Sequence, residues 1–164
     1  MAPLPLLTVR HPAPNDIVDD PVHVAGIAAA FEAQLVVTVV ASDGATLAEV
    51  PVSTGFGVGF ANFAADVALT AVPANAAATI VVSDTGGEDG VSPTVTIPVV
   101  IGRSLVDPYR GFGQHTVAAG DTLFGIAEQY YGDGSRFPGI FEANRDQLSD
   151  PGVIRPGQIL RIPQ

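Results

Sequence analysis

The sequence predicts two modules of different fold class: an all-β sandwich over residues 1–101 and a small α+β module over residues 115–164, joined by a linker over residues 102–114. Up to residue 101 the apolar residues form short β-branched runs separated by Gly, Pro, Asn and Asp, which is typical of strands and turns. Helical spacing of apolar residues begins only after residue 115. The charge changes at the same place: residues 1–102 hold ten acidic residues against Arg10 alone, and residues 103–164 hold seven against six arginines.

Seven runs in the first module are predicted to be strands, and none has the length or period of a helix. Seven short strands in about 100 residues without helices between them favour two antiparallel sheets packed face to face. The runs cover residues 6–9, 21–28, 34–40, 46–52, 63–70, 78–83 and 95–100.

A hairpin is predicted between the third and fourth runs. Ser42, Asp43 and Gly44 separate them, and Asp and Gly accept the positive φ angles that a type I′ turn requires. We therefore expect a type I′ turn here.

The second module begins with a predicted strand at His115-Thr116-Val117 and continues with a predicted helix. Asp121 is expected to cap this helix, and Gly132 to end it. The i, i+3, i+4, i+7 positions expected on its buried face are Leu123, Ile126, Ala127 and Tyr130. Only one of Tyr130 and Tyr131 fits this stripe, and the other ring, if exposed, could stack on a sugar.

A second helix is predicted to begin at Ser135 as its cap, with Pro138 in the first turn, where proline is tolerated. Its apolar face would hold Phe137, Ile140 and Phe141, and Asn144 near its end is expected to tie down loop backbone. Two Pro-Gly turns, at residues 151–152 and 156–157, then lead into a final strand over residues 159–162. The two strands would pair antiparallel beneath both helices.

The first module resembles a known family. The residues that carry the resemblance are HVAGIAAAFEAQLVVTVVASDGATLAEV at 23–50, FANFAADVAL at 60–69 and TVTIPVVI at 94–101, with Gly26 and the Phe31–Glu32 pair as its marks. They are similar to the immunoglobulin-like domain of bacterial spore germination proteins. The resemblance implies an immunoglobulin-like sandwich and a cell-envelope context.

The second module resembles the LysM family, through HTVAAGDTLFGIAEQYYGDG at 115–134, IFEANRD at 140–146 and IRPGQILRIP at 154–163. The resemblance implies a βααβ fold that binds peptidoglycan or chitin-like glycans of N-acetylglucosamine in a shallow groove. Matched onto this chain, the implied groove is formed by the loop after the first strand and the loop before the last. Its walls would be Gly120, Asp121, Thr122, Leu123 and Phe124 on one side and Ile154, Arg155, Pro156 and Gly157 on the other.

No catalytic residue is predicted. The chain has no cysteine and no lysine, and it lacks the GxSxG, HExxH and phosphate-loop patterns. His11, His23 and His115 are scattered along the chain, so neither a metal site nor a cofactor is expected. The acidic segment Ser83–Gly90, with Asp84, Glu88 and Asp89, is interpreted as a solvated loop tip and not as a calcium site.

The charge and hydropathy limit the partners. A net charge of −10 argues against nucleic acid and anionic membranes. No apolar run approaches the roughly 20 residues that span a bilayer, so membrane insertion is not expected. The N-terminus lacks a recognisable secretory signal, which predicts a cytoplasmic protein or one that reaches the cell wall by another route.

Three functions remain open at this point. The first is a non-catalytic glycan-binding adaptor whose immunoglobulin-like domain contacts another protein. The second is a cytoplasmic potassium sensor, because residues 130–163 also resemble the LysM half of a bacterial potassium-binding protein. The third is a structural adaptor of a phage-tail-like or contractile injection assembly, in which cytoplasmic LysM proteins also occur.

Overall fold

The computed structural model describes residues 6–29, 34–54, 59–85 and 93–164, and all structural statements below refer to them. The described residues form ten strands, two α-helices and two short 3₁₀ turns. The strands are β1 (Leu7–His11), β2 (Ile17–Val18), β3 (Val22–Ala28), β4 (Gln34–Ala41), β5 (Thr46–Ser53), β6 (Ala61–Val67), β7 (Ala77–Asp84), β8 (Thr94–Ile101), β9 (Phe112–Thr116) and β10 (Ile159–Pro163). The helices are α1 (Leu123–Tyr131) and α2 (Phe137–Ala143), and the 3₁₀ turns are Gly102–Ser104 and Gly134–Arg136.

The first eight strands build the predicted sandwich. One sheet has the order β1-β3-β6 and the other the order β2-β8-β7-β4-β5. All neighbours are antiparallel except β2 and β8, which are parallel. Along β4 and β7 every second residue is buried, which places Val37, Val39, Ile80 and Val82 in the space between the sheets. The all-β sandwich predicted from short β-branched runs separated by turn residues is confirmed.

The structure adds one strand to the seven predicted and corrects one turn. Strand β2 is only two residues long, too short for an alternating pattern to reveal it. The hairpin between β4 and β5 is present, but it is not a type I′ turn, because within it only Gly44 has a positive φ, of 90°. The Gly44 amide donates to the carbonyl of Ala41, and the Asp43 carboxylate accepts from the amide of Ala45.

Gly26 allows the close approach of β1 and β3. A Cβ atom at this position would collide with the carbonyl oxygen of Thr8 and lie 2.7 Å from the ring of Phe63. Any larger residue would therefore force the strands apart or displace the ring. The other predicted family marks, Phe31 and Glu32, lie outside the described residues, as do Glu88 and Asp89 of the acidic segment.

The second module has the predicted βααβ order. Strands β9 and β10 pair antiparallel, with Leu160 opposite His115. Both helices pack on one face of this ribbon. Eight buried apolar side chains form the core of the module: Val117, Leu123, Ile126, Ala127, Ile140, Leu148, Leu160 and Ile162.

The buried stripe of α1 differs from the prediction at its end. Tyr130 is 38% exposed, whereas Tyr131 packs against the core and its hydroxyl donates to the Pro163 carbonyl at 3.0 Å. Burial raises the pKa of Tyr131 to about 12. Tyr131, and not Tyr130, is therefore the tyrosine that holds α1 to the ribbon.

The start of the second helix also differs from the prediction. Ser135 lies inside the 3₁₀ turn that precedes α2, and Asp133 caps that turn by accepting from the Ser135 amide at 2.9 Å. A hydrogen bond from the Ser135 hydroxyl, followed by this one from its amide, lowers the pKa of Asp133. Helix α2 follows without a side-chain cap, and Pro138 occupies its first turn as predicted.

The segment between the modules is packed against both of them. Tyr109 is buried, and its ring lies on Gly102, where a Cβ would come within 2.5 Å of it. The Arg103 guanidinium donates to the Asp20 carboxylate of the sandwich at 2.8 Å, and the Gly111 carbonyl accepts from the amide of Gln164 in the second module. The two modules also touch directly, since the guanidinium of Arg161 donates to the Asn15 carbonyl at 2.9 Å. No helix of the described residues is long and apolar enough to cross a membrane.

Candidate functional site

A cleft of about 230 Å³ opens at one end of the βααβ module. The start of α1 and the residue before it form one wall, the loop between α2 and β10 forms the other, and α2 contributes from its first turn. The lining residues are Thr122, Leu123, Phe124, Phe137, Pro151 and Gly152. None of these side chains is ionisable, so the cleft can offer apolar surface, one hydroxyl and backbone groups.

Thr122 fixes the first wall by capping α1. It has extended backbone angles, and its hydroxyl accepts a hydrogen bond from the amide of Gly125 at 3.0 Å. The prediction that Asp121 caps the helix is therefore wrong by one residue. At its other end the helix stops at Gly132, as predicted, where a φ of 67° permits a left-handed cap.

Asp121 instead fastens the loop that leads into the cleft. Its carboxylate accepts from the Ala118 amide at 2.8 Å and from Nε2 of His115 at 2.9 Å. Because the carboxylate only accepts, His115 Nε2 carries the hydrogen, and Nδ1 lies 3.3 Å from the Tyr130 hydroxyl, within hydrogen-bond distance. The hydrogen bond from His115, followed by that from Ala118, lowers the pKa of Asp121.

Phe124 presents the largest exposed apolar surface in the cleft, with 57% of its area open to solvent. Its ring rests on Gly134, where any Cβ atom would collide with it. Glu128 holds this glycine by accepting from its amide at 2.7 Å. The ring is thus more than half exposed and also backed by Gly134, so its open surface is available to a flat apolar ligand.

Asp150 shapes the second wall. Its side chain accepts from the Gly152 amide at 2.7 Å, and its carbonyl accepts from the Val153 amide at 3.2 Å. These bonds close a tight turn that carries Pro151 and Gly152 to the cleft.

The structure brings only part of the predicted groove together. Thr122, Leu123 and Phe124 line the cleft, although Leu123 is also a buried core residue. Gly120 is exposed with a φ of 94°, and Asp121 lies behind the wall as described. Sequence reasoning missed Phe137, Pro151 and Gly152, of which the last two were identified only as a turn.

The predicted second wall, residues 154–157, lies elsewhere. Ile154 packs partly against the core, and Arg155 lines a separate depression of about 320 Å³ with Gln147, Ser149, Val153 and Gln158. Pro156 and Gly157 are exposed, and the Gly157 amide donates to the Val117 carbonyl at 2.8 Å. These two residues therefore connect the last loop to β9.

Asn144 has the predicted structural role. It is completely buried and joins α2 to β10, since its amide nitrogen donates to the carbonyls of Ile140 and Arg161 and its oxygen accepts from the Arg161 amide at 2.8 Å. Among the described residues no group of three or more His, Asp or Glu side chains could hold a metal ion.

Three relatives have regions similar to this chain. A potassium-binding protein of Escherichia coli is 50% identical over 50 residues, which are 30% of this chain and 34% of that protein. An esterase of Mycobacterium tuberculosis is 45% identical over 64 residues, 39% of this chain and 13% of the esterase. A protein of Deinococcus radiodurans is 49% identical over 57 residues, 35% of this chain and 22% of that protein. The chain thus spans about a third or less of the length of these relatives.

Two family profiles match the chain in separate segments. The profile of the LysM domain matches residues 115–163. That of the immunoglobulin-like domain of bacterial spore germination matches residues 6–91, more than half of the 164 residues. The chain therefore belongs to the family of immunoglobulin-like domains of bacterial spore germination, and it carries a LysM domain after that domain.

Proposed function

We propose that the protein is a non-catalytic adaptor whose LysM domain binds a polymer of N-acetylglucosamine, as in peptidoglycan or chitin, in the cleft beside Phe124. The observation that carries the proposal is this open, uncharged cleft of about 230 Å³ between two loops of a LysM domain. LysM domains bind glycans of this type. In this proposal the immunoglobulin-like domain and the LysM domain act as distinct modules, the joining segment ends where β9 begins at Phe112, and the immunoglobulin-like domain contacts another protein.

The residues of the cleft suit an N-acetylated sugar. The exposed face of Phe124 would stack on the apolar face of a pyranose ring or receive the acetyl methyl group, with Phe137 and Pro151 extending the apolar surface. Backbone groups of the two walls would bond the acetamide. Because no charged side chain lines the cleft, we expect binding to depend little on salt concentration.

The test is retention of the full chain on purified peptidoglycan and on chitin. Phe124→Ala should lower retention about tenfold, since one stacked aromatic contributes on the order of 1 kcal/mol or more. Phe112→Ala is the matched control, because Phe112 is also exposed, at 46%, but lies on β9 outside the cleft. Equal retention of both variants, or no retention of the unaltered chain, would refute glycan binding in this cleft.

A second candidate function is potassium sensing, and the observation that favours it is the similarity to the potassium-binding protein of Escherichia coli. The shared segment is 50 residues long and makes up 30% of this chain. The immunoglobulin-like domain alone covers more than half of the chain. Melting curves in potassium and in sodium chloride at equal ionic strength would test the idea. A melting temperature that rises only with potassium would support it, and identical curves would exclude it.

A further inference from the structure

Strand pairing brings two histidines that are distant in sequence into contact on the three-stranded sheet. His11 ends β1 and pairs with Ala25 of β3, and His23 lies two residues before Ala25 on the same strand. Residues two apart on a strand point to the same face, so the two imidazoles are diagonal neighbours. Their ring centres are 5.8 Å apart.

We propose that His11 and His23 form a binding site for a divalent transition-metal ion that prefers imidazole ligands, with water completing the coordination. Metal–nitrogen bonds of histidine are about 2.0–2.1 Å long, so two imidazoles that share one ion have ring centres roughly 5–6 Å apart. The observed separation of 5.8 Å lies in this range. The rings are tilted by 42° to each other, so they are not stacked in parallel planes.

Asp66 prepares one of the two ligands. It lies opposite His23 on β6, and its carboxylate accepts from His23 Nδ1 at 2.7 Å. With Nδ1 donating to the carboxylate, Nε2 is the ring nitrogen left to offer its lone pair to an ion, and the carboxylate increases its basicity. A carboxylate behind a histidine is the usual outer partner of a metal ligand in proteins.

The surroundings of the pair admit and attract a cation. The side chains of His23 and Asp66 are 55% and 71% exposed, so hydrated ions reach them directly. Residues 1–102 carry ten acidic side chains against one arginine, a field that concentrates cations near this module. Two imidazole ligands select for Cu²⁺, Ni²⁺ and Zn²⁺ and against Mg²⁺ and Ca²⁺, which require oxygen ligands.

The proposal predicts an order of affinity that a nonspecific acidic surface would not produce. In calorimetric titrations of the untagged full chain, Cu²⁺ should bind more tightly than Ni²⁺ and Zn²⁺, with one ion per chain, and Mg²⁺ should give no signal. His11→Ala and His23→Ala should each lower the affinity for Cu²⁺ to that of the variant lacking both histidines. Asp66→Asn should weaken binding about tenfold, because it removes only the outer partner.

His115 provides the matched control, since it is also paired with an aspartate but has no second imidazole in ring contact among the described residues. His115→Ala should leave the affinity for Cu²⁺ unchanged. In spectra of the unaltered chain, substoichiometric Cu²⁺ should broaden the ring signals of His11 and His23 and spare those of His115. Equal broadening of all three rings, or full affinity in the His11→Ala variant, would overturn the proposal.

Discussion

The immunoglobulin-like domain and the LysM domain bury their interiors in different ways. In the described residues the sandwich core contains twenty buried apolar side chains, carried by strands that continuous backbone ladders join into sheets of three and five strands. The LysM core contains eight. A core this small supplies little free energy, since below about 70–80 residues a single core rarely contributes more than about 3–5 kcal/mol. The smaller domain must therefore gain stability from specific polar contacts.

Those contacts converge on Asn144. Its side chain takes the place of a neighbouring strand along β10, because it bonds both the amide and the carbonyl of Arg161. It also donates to the carbonyl of Ile140 on α2. Gln147 adds a bond to the oxygen of Asn144 at 3.0 Å. In this chain the larger domain is therefore stabilised by apolar side chains buried repeatedly along its strands, whereas the smaller one depends on the hydrogen bonds of individual side chains.

The largest expected effect follows from removing that side chain. Asn144→Ala leaves the amide and carbonyl of Arg161 without their partner and should destabilise the LysM domain by about 3 kcal/mol. This is comparable to the whole contribution of a core of its size. In amide spectra of the full chain under increasing urea, the signals of residues 115–164 should collapse well before those of the sandwich.

Gln147→Ala is the control for this experiment, because Gln147 is exposed and shares only part of the network. It should shift the LysM transition by less than about 1 kcal/mol. If Asn144→Ala lowered the stability of both domains equally, the two would unfold as one unit. The LysM domain would then not differ from the sandwich in its dependence on single side chains.

The same contrast explains what could be predicted from the sequence. Short β-branched runs bounded by turn residues identified seven of the eight sandwich strands, because β-branched side chains suit the buried surface of a sheet, as along β4 and β7. Periodicity also found both LysM helices. It could not decide between Asp121 and Thr122 as the cap, or between Tyr130 and Tyr131 as the packed ring, because neighbouring residues of similar chemistry differ only in their contacts.

The candidate site was less predictable than the fold. Phe137 was predicted on the apolar face of α2. It does pack against the core, but it also lines the cleft, which the spacing of apolar residues could not indicate. Pro151 and Gly152 reach the cleft because Asp150 closes their turn, a contact that composition does not reveal. The pairing of His11 with His23 depends on the register of β1 and β3, so their distance along the chain hid it.

Two glycine substitutions, one in each domain, test how well the packing tolerates an added methyl group. At Gly26 of the sandwich a new Cβ meets the Thr8 carbonyl, which cannot move without breaking the ladder between β1 and β3. Gly26→Ala should therefore cost about 1–3 kcal/mol. At Gly134 the three atoms nearest to the new Cβ all belong to the ring of Phe124, which can turn into solvent, so Gly134→Ala should cost less than about 1 kcal/mol.

The two variants should also separate stability from binding. Gly134→Ala displaces the ring that we propose to contact the glycan, so retention on peptidoglycan should fall although the domain stays folded. Gly26→Ala should lower the urea midpoint of the sandwich and leave retention unchanged. A larger stability loss at Gly134 than at Gly26 would contradict the expectation that the Thr8 carbonyl adapts to an added methyl group less easily than the ring of Phe124 does.

The smallest expected effect is a pH dependence confined to the LysM domain. The pKa of Asp121 is lowered in the folded state, so its carboxylate stabilises the loop fully above the pKa of an unfolded aspartate, about 3.9. This contribution is lost as the pH falls through the lower folded value. The amide of Ala118, which donates to Asp121, should then become less protected from hydrogen exchange than other loop amides.

One substitution tests this prediction. Asp121→Asn should remove the acid-dependent step at Ala118, because the amide oxygen still accepts but no longer titrates. A step at Ala118 that persisted in this variant would show that another group of the loop, and not the carboxylate bonded by His115 and Ala118, responds to acid.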